Sequence, residues 1–564
     1  MRTFSKSLFC FLLFLSASTV FPSGKNPAGY KNGMVVTASD LASEVGVSIL
    51  KKGGNAVDAS VGVGFALAVT FPFAGNIGGG GFMVIHLADG KNTSIDFRET
   101  APQASSEKMF LDSLGNFIPA LSQQGWTSSG VPGTVAGLIY ALKKYGTMNL
   151  SNVIQPAIDL AENGFVLNKK MVESLNSYYN DFINIESSRK IFTKNGNKFS
   201  EGDLFVQKDL ARTLRLIKDR GEDAFYRGEI TEKIIEQSKK FGGNFTLNDF
   251  NDYKVAERLP VTGSYREYKI ISMPPPSSGG ICILEALHVL EKYNLGSFVH
   301  NSTEYIHILS ETLKHVYADR AAHMGDPDFY DVPVNKLLSD ERAEEIKSEI
   351  GEYALPSSKI KAMEISNHRE KEETTHYSVA DKNGNAVSTT YTINGGYGNK
   401  IVVDGLGFLL NNEMDDFSAK PGEPNQFGLV GSEANSIKPK KRMLSSMTPT
   451  IIMKDDKLFM VIGSPGGSTI ITSVLQSILN AIDFKMNIEE AIAALKIHDQ
   501  WLPDQIEYEE GALSNQTVQE LIRRGHKLKM VKSLGRLEGI TFDQNDKLFF
   551  GSSDPRGSGK ASGW

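Results

Sequence analysis

Apolar and polar positions alternate in several segments of the chain, which is the pattern of paired β-strands. Residues 375–380 and 386–392 alternate on either side of DKNGN, and this arrangement predicts a tight hairpin. Similar patterns predict hairpins at 448–463, 539–554 and 87–99. Because tight hairpins join antiparallel strands, we expect antiparallel sheets.

Other segments carry the spacing of helices. The pattern through 41–52 predicts a helix that Ser39 caps and that Gly53 and Gly54 end. A second helix, apolar on all sides, is predicted to start at Ala56. An apolar helix of this kind is buried, so we expect the N-terminal helices to pack against a sheet.

The remaining chain alternates between helices and hairpins. Residues 140–340 are mainly helical in pattern, with a rigid turn at 273–280 (MPPPSSGG). Two further helices are predicted at 467–483 and 487–497, between the later hairpins. Helices that alternate with hairpins predict an α+β fold in layers, with antiparallel sheets at its centre and helices packed on them.

The first 23 residues have the features of an export signal. Arg2 and Lys6 supply positive charge, residues 8–15 are apolar, and small residues follow. The apolar run is too short to span a bilayer, so we predict a cleaved signal peptide at 1–23, with an uncleaved anchor as the alternative. No later segment is long and apolar enough for a stable membrane span, and we expect a periplasmic or secreted protein.

Composition narrows the function classes. The 564-residue chain has a formal net charge of -6 and a pI near 6.0, which argues against nucleic acid as a partner. Outside the signal, Cys282 is the only cysteine, and neither HExxH nor CxxC occurs. A lone cysteine makes no internal disulfide and no cysteine-based zinc site, so we predict no structural or catalytic metal.

A charged segment ends at two adjacent threonines. Residues 364–373 (EISNHREKEE) are rich in charge, and Thr374 and Thr375 follow them. A threonine hydroxyl is a weak nucleophile until a base activates it, and the α-amino group of an N-terminal threonine is such a base. That chemistry requires a cut in the solvated loop. The residues alone do not choose between Thr374 and Thr375, and ordinary strand threonines remain the alternative.

The hairpin after this segment adds a second threonine. If Lys382, Asn383 and Gly384 form a three-residue loop with Gly384 in the left-handed region, the strand register is determined. That register places Thr374 opposite Thr392, whose hydroxyl could orient the nucleophile. The inference depends on the turn, because a slip of one residue moves Thr392 to the other face.

Eight motifs, taken together, resemble the γ-glutamyltranspeptidase (glutathione hydrolase) family of N-terminal-nucleophile hydrolases. They occur in the family's order from about residue 28 to about residue 556. They are GNIGGGGFM, DFRETAP, GVPGTVAGL, MPPPSSGG, TTHYSVADKNGNAV, LLNNEMDDFSAKPG, LSSMTPTI and GSPGGSTIITSVLQ.

The resemblance implies a four-layer αββα sandwich with two central antiparallel sheets. It implies that the chain cuts itself between Glu373 and Thr374, giving a large subunit (24–373) and a small catalytic subunit (374–564) as a heterodimer. It also implies that no cofactor is needed and that Thr374 is the nucleophile.

The family pattern further implies a pocket for a zwitterionic glutamyl group. Arg98, Ser445 and Ser446 would bind its α-carboxylate, since a guanidinium fork fits a carboxylate. Asn394, Glu413 and Asp416 would accept hydrogen bonds from its α-ammonium. The backbone amides of Gly466 and Gly467 would form an oxyanion hole.

The implied reaction cleaves the γ-glutamyl bond of glutathione and related compounds through a threonine ester, which water, an amino acid or a dipeptide then takes up. Phe427 departs from the tyrosine of well-known bacterial members, in a segment (418–436) that resembles a lid. The alternatives are a poly-γ-glutamate hydrolase, a glutaryl-type β-lactam acylase, and an exported amino-acid-binding protein that is never cut.

Overall fold

The computed structural model describes residues 26–360 and 374–564. The predicted signal peptide, residues 364–373 and therefore Glu373 lie outside the described residues. Two seven-stranded antiparallel sheets form the centre of the protein, beside one three-stranded and one two-stranded sheet. The strands are β1 (Gly29–Tyr30), β2 (Gly33–Thr37), β3 (Gly80–His86), β4 (Asn92–Asp96), β5 (Phe165–Val166), β6 (Leu204–Phe205), β7 (Ala256–Arg258), β8 (Val261–Tyr265), β9 (Tyr268–Ser272), β10 (Thr375–Asp381), β11 (Ala386–Thr392), β12 (Thr450–Lys454), β13 (Lys457–Gly463), β14 (Ile497–His498), β15 (Ile506–Glu509), β16 (Leu528–Val531), β17 (Glu538–Asp543), β18 (Leu548–Ser553) and β19 (Lys560–Gly563).

Helices cover the sheets. Within residues 26–360 and 374–564, none of them is long and apolar enough to cross a membrane. The helices are α1 (Asp40–Lys51), α2 (Ala56–Thr70), α3 (Pro119–Gln123), α4 (Thr134–Tyr145), α5 (Leu150–Asn163), α6 (Lys169–Ser177), α7 (Tyr179–Asn184), α8 (Glu186–Phe192), α9 (Lys208–Arg220), α10 (Glu222–Tyr226), α11 (Glu229–Lys240), α12 (Leu247–Asn251), α13 (Gly279–Leu290), α14 (Thr303–His323), α15 (Val334–Leu337), α16 (Asp340–Glu349), α17 (Thr469–Ile482), α18 (Ile488–Ala493) and α19 (Asn515–Arg523).

The two large sheets mix strands from both halves of the chain. The first sheet has the order β1-β18-β17-β13-β12-β9-β8, and the second has the order β19-β2-β10-β11-β3-β4-β7. Each sheet therefore contains strands from before and after residue 374. Strand β10, which begins directly after Thr374, lies inside the second sheet between β2 and β11.

Both faces of the second sheet are buried. In β2, Val36 packs with apolar residues of the first sheet, whereas its neighbour Val35 packs with the helical layer that includes α1 and α2. Val379 and Ala380 of β10 divide in the same way, because successive side chains of a strand point to opposite faces. Helices α13 and α17 pack on the outer face of the first sheet. The fold is therefore the predicted four-layer αββα sandwich.

Most predicted elements are confirmed. The segments 448–463 and 539–554 form the hairpins β12–β13 and β17–β18. Asp455 and Asp456 both have positive φ at the first of these turns, as a two-residue hairpin loop of the primed type requires. Helices α1, α2, α14 and α17 lie where the apolar spacing predicts them.

Three element boundaries differ from the predictions. The hairpin assigned to 87–99 has β3 as its first strand, so that segment contributes the turn and the second strand. The segment 140–340, predicted as mainly helical, also contains β7, β8 and β9, and the tight turn between β8 and β9 includes Arg266 with φ of +53°. Helix α18 ends at Ala493, before the predicted end at 497, because Ile497 begins β14.

The predicted cap of α1 is wrong in its chemistry. Ser39 occupies the N-cap position, but its side chain makes no capping hydrogen bond. Thr37 binds this turn instead: its hydroxyl donates to Ser39 O (2.7 Å) and accepts from Ser39 N–H (3.0 Å). Thr37 fixes the turn before the helix without capping it, and α1 still lies within one residue of its predicted span.

The hairpin after Thr374 has the predicted register. Asp381 N–H donates to Asn385 O (3.0 Å) across the three-residue loop, and Gly384 has φ of +95°. The ladder pairs Thr375 with Tyr391 and continues to the loop without a shift. The next pair along this register is Thr374 and Thr392.

A glycine-rich strand end holds Thr392 on its other side. Gly80 of β3 is the ladder partner of Thr392, and a Cβ added to Gly79 would lie 2.0 Å from Thr392 O. Real Cβ atoms do not approach an oxygen this closely, so the backbone contact requires glycine at this position.

We expect Gly79→Ala to lower the free energy of unfolding by about 1 to 3 kcal/mol, because the backbone at Thr392 must move to make room. Gly351→Ala is the matched control, since a Cβ there meets nothing within 4 Å. Thermal melts of both variants test this, and equal melting temperatures would contradict it.

Candidate active site

Thr374 lies where two cavities meet. An inner cavity, the head pocket, contains about 500 Å³ of space between atoms, part of it open to solvent, and both Thr374 and Thr392 line it. A wider cavity, the outer cleft, also reaches Thr374 and contains about 2150 Å³ of such space. The head pocket brings together the six predicted substrate-binding residues: Arg98, Asn394, Glu413, Asp416, Ser445 and Ser446.

The end of β11 is tied down by backbone and amide contacts. Thr392 Oγ1 accepts a hydrogen bond from Asn394 N–H (2.8 Å), and Asn76 Nδ2 donates to Thr392 O (2.9 Å). Asn394 has φ of +69°, a left-handed conformation that asparagine tolerates, and its Nδ2 donates to Asn412 O (3.0 Å). These bonds hold the Thr392 hydroxyl and the Asn394 amide at the wall of the head pocket.

The predicted oxyanion loop precedes a helix. Gly466 and Gly467 have φ of +133° and +50°, which residues with a side chain rarely adopt. Among the described residues, no acceptor is bonded to either backbone N–H. Both glycines lie at the N-terminus of α17, where the helix dipole favours negative charge. Gly466 lines the outer cleft and Gly467 the head pocket, each together with Thr374.

A buried ion cluster forms one wall of the head pocket. Arg98 is fully buried, and its guanidinium donates to Glu413 and to Asp416. Its Nε donates to Met443 O (3.3 Å), and its backbone O accepts from the Tyr253 hydroxyl (2.9 Å). Arg98, the predicted carboxylate binder, is therefore in direct contact with Glu413 and Asp416, two of the three predicted ammonium binders.

Burial and crowding shift the protonation of this cluster. Burial raises the pKa of Glu99, whose carboxylate lies 3.5 Å from the Arg98 guanidinium, to about 8. Burial also raises the pKa of Glu413 and of Asp416, while the Arg98 charge opposes the rise in each case. Three buried acids share one guanidinium, so we expect Glu99 to hold a proton at neutral pH.

The lid-like segment is bonded to the acidic turn. Asn425 Nδ2 donates to Asp416 Oδ1 (3.2 Å), and Gln426 N–H donates to Asp415 Oδ2 (2.9 Å). Phe427 is buried and lines both cavities, and a Cβ at Gly467 would lie 2.7 Å from its ring. The phenylalanine ring thus separates the head pocket from the outer cleft at the oxyanion loop.

Sequence reasoning missed three residues of the site. Glu99 directly follows Arg98, and its carboxylate oxygens have no hydrogen-bond partner among the described residues. Asn76 holds Thr392, and Arg320 of α14 lines the head pocket. The position of Glu99 directly after Arg98 could have indicated its role from the sequence. Asn76 and Arg320 come close to the site only because distant elements pack together.

One group among the described residues has the donor atoms for a metal ion. His307, Glu311 and His526 are buried, with donor atoms within 4.8 Å of one another. His307 Nε2 donates to Gly351 O (2.9 Å), so its Nδ1 accepts from His526 Nε2 (2.8 Å). Glu311 Oε1 forms an ion pair with Lys314 Nζ at 2.6 Å. These contacts already use the donor atoms, and the absence of a metal stays a prediction.

A sandwich of two antiparallel sheets, with a threonine directly before an inner strand, is the arrangement of N-terminal-nucleophile hydrolases. A family model described as Gamma-glutamyltranspeptidase matches residues 42–564. The chain belongs to this family.

Relatives and solved structures agree with this assignment. A glutathione hydrolase proenzyme of Escherichia coli (strain K12) is 47% identical over 533 residues, which cover 94% of this chain and 91% of that protein. Cephalosporin acylase from Bacillus halodurans has a TM-score of 0.85 at 28% identity, with 98% of this chain and 99% of that chain covered. Helicobacter pylori γ-glutamyltranspeptidase has a TM-score of 0.57 at 50% identity, with 57% of this chain and 93% of that chain covered.

We expect Glu99→Gln to flatten the pH dependence of stability. Because burial raises the folded-state pKa of Glu99, its protonated form adds to the free energy of unfolding of the wild type at low pH. This contribution falls as the pH rises from about 4.5 to 8. Glutamine mimics the protonated acid and removes a slope of up to about 1.4 kcal/mol per pH unit. Urea unfolding across this range measures the slope, with exposed Glu107→Gln as the control. Parallel curves for Glu99→Gln and wild type would contradict the prediction.

Proposed function

We propose that this protein is made as a proenzyme, is cut between Glu373 and Thr374, and then acts as a γ-glutamyltransferase and glutathione hydrolase. The observation that carries the proposal is the position of Thr374, between a pocket walled by a buried ion cluster and a wide cleft. The head pocket suits a small charged group, and the cleft gives room for a leaving group or an acceptor.

The reaction follows from the groups around Thr374. After the cut, its α-amino group takes the hydroxyl proton, and Oγ1 attacks the γ-carbonyl carbon of the substrate. The oxyanion that forms accepts hydrogen bonds from Gly466 and Gly467 N–H. The C–N bond then breaks, the protonated amine supplies its proton to the leaving amine, and a γ-glutamyl ester remains on Thr374.

The second half repeats these steps in reverse. Water, or the amine of an amino acid or dipeptide, enters through the outer cleft and attacks the ester carbon. The α-amino group of Thr374 accepts the proton of the attacking group and returns it to the threonine oxygen. Water gives glutamate, and an amine gives a new γ-glutamyl compound.

The ion cluster supports a zwitterionic donor. Glu413 and Asp416 can accept from the α-ammonium of a γ-glutamyl group, and Arg98 with Ser445 and Ser446 can bind its α-carboxylate. A glutaryl side chain lacks the α-ammonium, so the acid pair weighs against a β-lactam acylase. The lid-like segment 418–436 lines the head pocket and weighs against a poly-γ-glutamate hydrolase, because that activity needs room for a long polymer.

The chain would be exported and then processed into two subunits. Residues 1–23 would direct export to the periplasm or the medium and then be removed, and the cut would leave residues 24–373 and 374–564 as a heterodimer. The two products would stay joined, because each large sheet contains strands of both. A binding protein that is never cut remains the second candidate function, and the state of the chain separates the two.

Thr374→Ala should remain one chain and release no product from a γ-glutamyl anilide, since it lacks the nucleophile. Thr375→Val is the matched control, because the buried Thr375 hydroxyl has no hydrogen-bond partner among the described residues and valine has the same shape. Denaturing gels, N-terminal sequencing of the small fragment and anilide release measure both variants. A cut that persists in Thr374→Ala and is lost in Thr375→Val would move the nucleophile to Thr375.

Phe427→Tyr should lower the ratio of hydrolysis to transfer by up to about fivefold. The added hydroxyl can bond towards the Asn394 region, and one such bond of about 1 kcal/mol would hold the lid more firmly against water. Product analysis with a dipeptide acceptor gives the ratio. Phe427→Leu controls for changed ring packing, and an unchanged ratio in Phe427→Tyr would refute the role of the lid.

A further inference from the structure

The three-stranded sheet of β14, β15 and β16 forms part of the wall of the outer cleft. His498, Glu507 and Lys529 are register neighbours on these three strands. All three line the cleft, as do Thr374 and Gly466. Side chains that lie side by side in a sheet point to the same face, so one row of polar groups crosses this wall. The same cavity joins the row to the proposed nucleophile.

The two ends of the row differ in charge. His498 Nδ1 and Thr472 Oγ1 share a hydrogen bond (3.0 Å), which attaches this end to α17, the helix that follows the oxyanion loop. Burial lowers the pKa of His498, so its ring is neutral at neutral pH. Lys529 lies at the other end of the row, two strands away. The positive charge of the row therefore lies away from the oxyanion helix.

The Lys529 ammonium has unused hydrogen-bond donors. Its Nζ is buried and has no hydrogen-bond partner among the described residues. Glu507 Oε1 lies 3.7 Å from it, which is an ion pair but is longer than a hydrogen bond, and this oxygen already accepts from Gln505 Nε2 (3.2 Å). An ammonium has three N–H donors, so they are available to an acceptor that enters the cleft.

Two further cations give the outer cleft a positive charge. Lys532 and Arg536 line it, and within the described residues neither side chain forms a hydrogen bond or an ion pair. Arg536 N–H donates to Ser464 Oγ (3.1 Å), which places this residue beside the oxyanion loop. Among the described side chains that line the cleft, three are basic and only Glu507 is acidic. Such a cleft attracts an anion.

The proposed reaction identifies the anion. Glutathione releases a dipeptide in the first half, and when a dipeptide attacks the ester in the second half, that step is the first one in reverse. A leaving and an attacking dipeptide therefore lie in the same place, with the amine at Thr374 and the remainder in the outer cleft. The group at the far end of a dipeptide is its C-terminal carboxylate. A carboxylate accepts charge-assisted hydrogen bonds from an ammonium, so it suits Lys529.

We propose that Lys529, supported by Lys532 and Arg536, binds the C-terminal carboxylate of the dipeptide that leaves or attacks at Thr374. The inference rests on the proposed function and deepens it, because it names the group by which an acceptor is selected. Glu507 holds the Lys529 ammonium at the wall of the cleft through their ion pair. Acceptors with a free carboxylate at the end of a dipeptide are preferred over the corresponding amides.

The test compares two acceptors that differ only in this carboxylate. They are glycylglycine and glycylglycinamide, with γ-glutamyl-4-nitroanilide as the donor. Wild type should prefer glycylglycine by about tenfold or more in kcat/KM, mainly through KM, because hydrogen bonds to a charged group are strong. Lys529→Gln should reduce the preference to about threefold or less, since the charge is lost. Chromatography of the γ-glutamyl products measures both rates.

Two further substitutions examine the charge itself. Lys529→Arg keeps the charge and should keep the preference within about threefold of wild type. Arg536→Gln should lower the preference by a smaller factor than Lys529→Gln, because Arg536 is exposed to solvent. Lys527→Gln is the matched control: Lys527 is exposed, lies two residues before Lys529 and lines a different cavity. It removes the same charge and should leave the preference unchanged.

Three outcomes would overturn the role of Lys529 and leave the proposed function intact. They are a wild type that uses both acceptors equally well, a Lys529→Gln variant that loses the same factor on both, and a Lys527→Gln variant that loses as much preference as Lys529→Gln. Wild-type protein that is cut but releases nothing from γ-glutamyl-4-nitroanilide would instead contradict the proposed function.

A wild type that hydrolyses the anilide but transfers to neither acceptor calls for the same comparison with the leaving dipeptide. Glutathione and its glycyl ethyl ester then replace the two acceptors, because the ester lacks the same carboxylate. Lys529→Gln should again reduce the preference for the free carboxylate, and an unchanged preference would overturn the proposal.

Discussion

The pairing of β10 with β11 is the constraint on which the site depends. The three-residue loop at Gly384 sets one register for the hairpin, and that register brings the end of β11 level with Thr374. Close backbone contact with Gly79 and the amide of Asn76 then hold Thr392. Because β10 is an inner strand with both faces buried, a slip would move every side chain to the wrong layer, and the sandwich enforces the register.

The head pocket is distinguished by its buried charged side chains rather than by its size. Arg98, Glu413 and Asp416 satisfy one another away from water, and Arg320 lies near them without an acid in contact. In the proposed function, such a wall would discriminate by charge pattern, since a ligand with the wrong charges would leave a buried group unpaired. A buried ion cluster contributes little net stability to a fold, which supports the proposed role of this cluster in recognition.

Short sequence patterns predicted the hairpins and helices, but they did not predict contacts between residues far apart in the chain. The loop at Gly384 and the alternation around it were sufficient for the hairpin register. Strands β8 and β9 were missed inside a segment rich in helices, although the turn at Arg266 separates two short alternating runs. The predicted residues of the head pocket came from the family resemblance. Arg320 lines that pocket, and Asn76 contacts Thr392, only after distant elements pack together. The spacing of residues along the sequence does not indicate such long-range contacts.

The interleaving of strands in both sheets bears on how the protein is made. A single chain forms those sheets at the high effective concentration that a covalent link provides. If the chain is cut before Thr374 as proposed, the two unfolded pieces would have to find each other by diffusion, and refolding would become a bimolecular event. The mature enzyme would then persist through slow unfolding, a kinetic stability that it inherits from a precursor it can no longer rebuild.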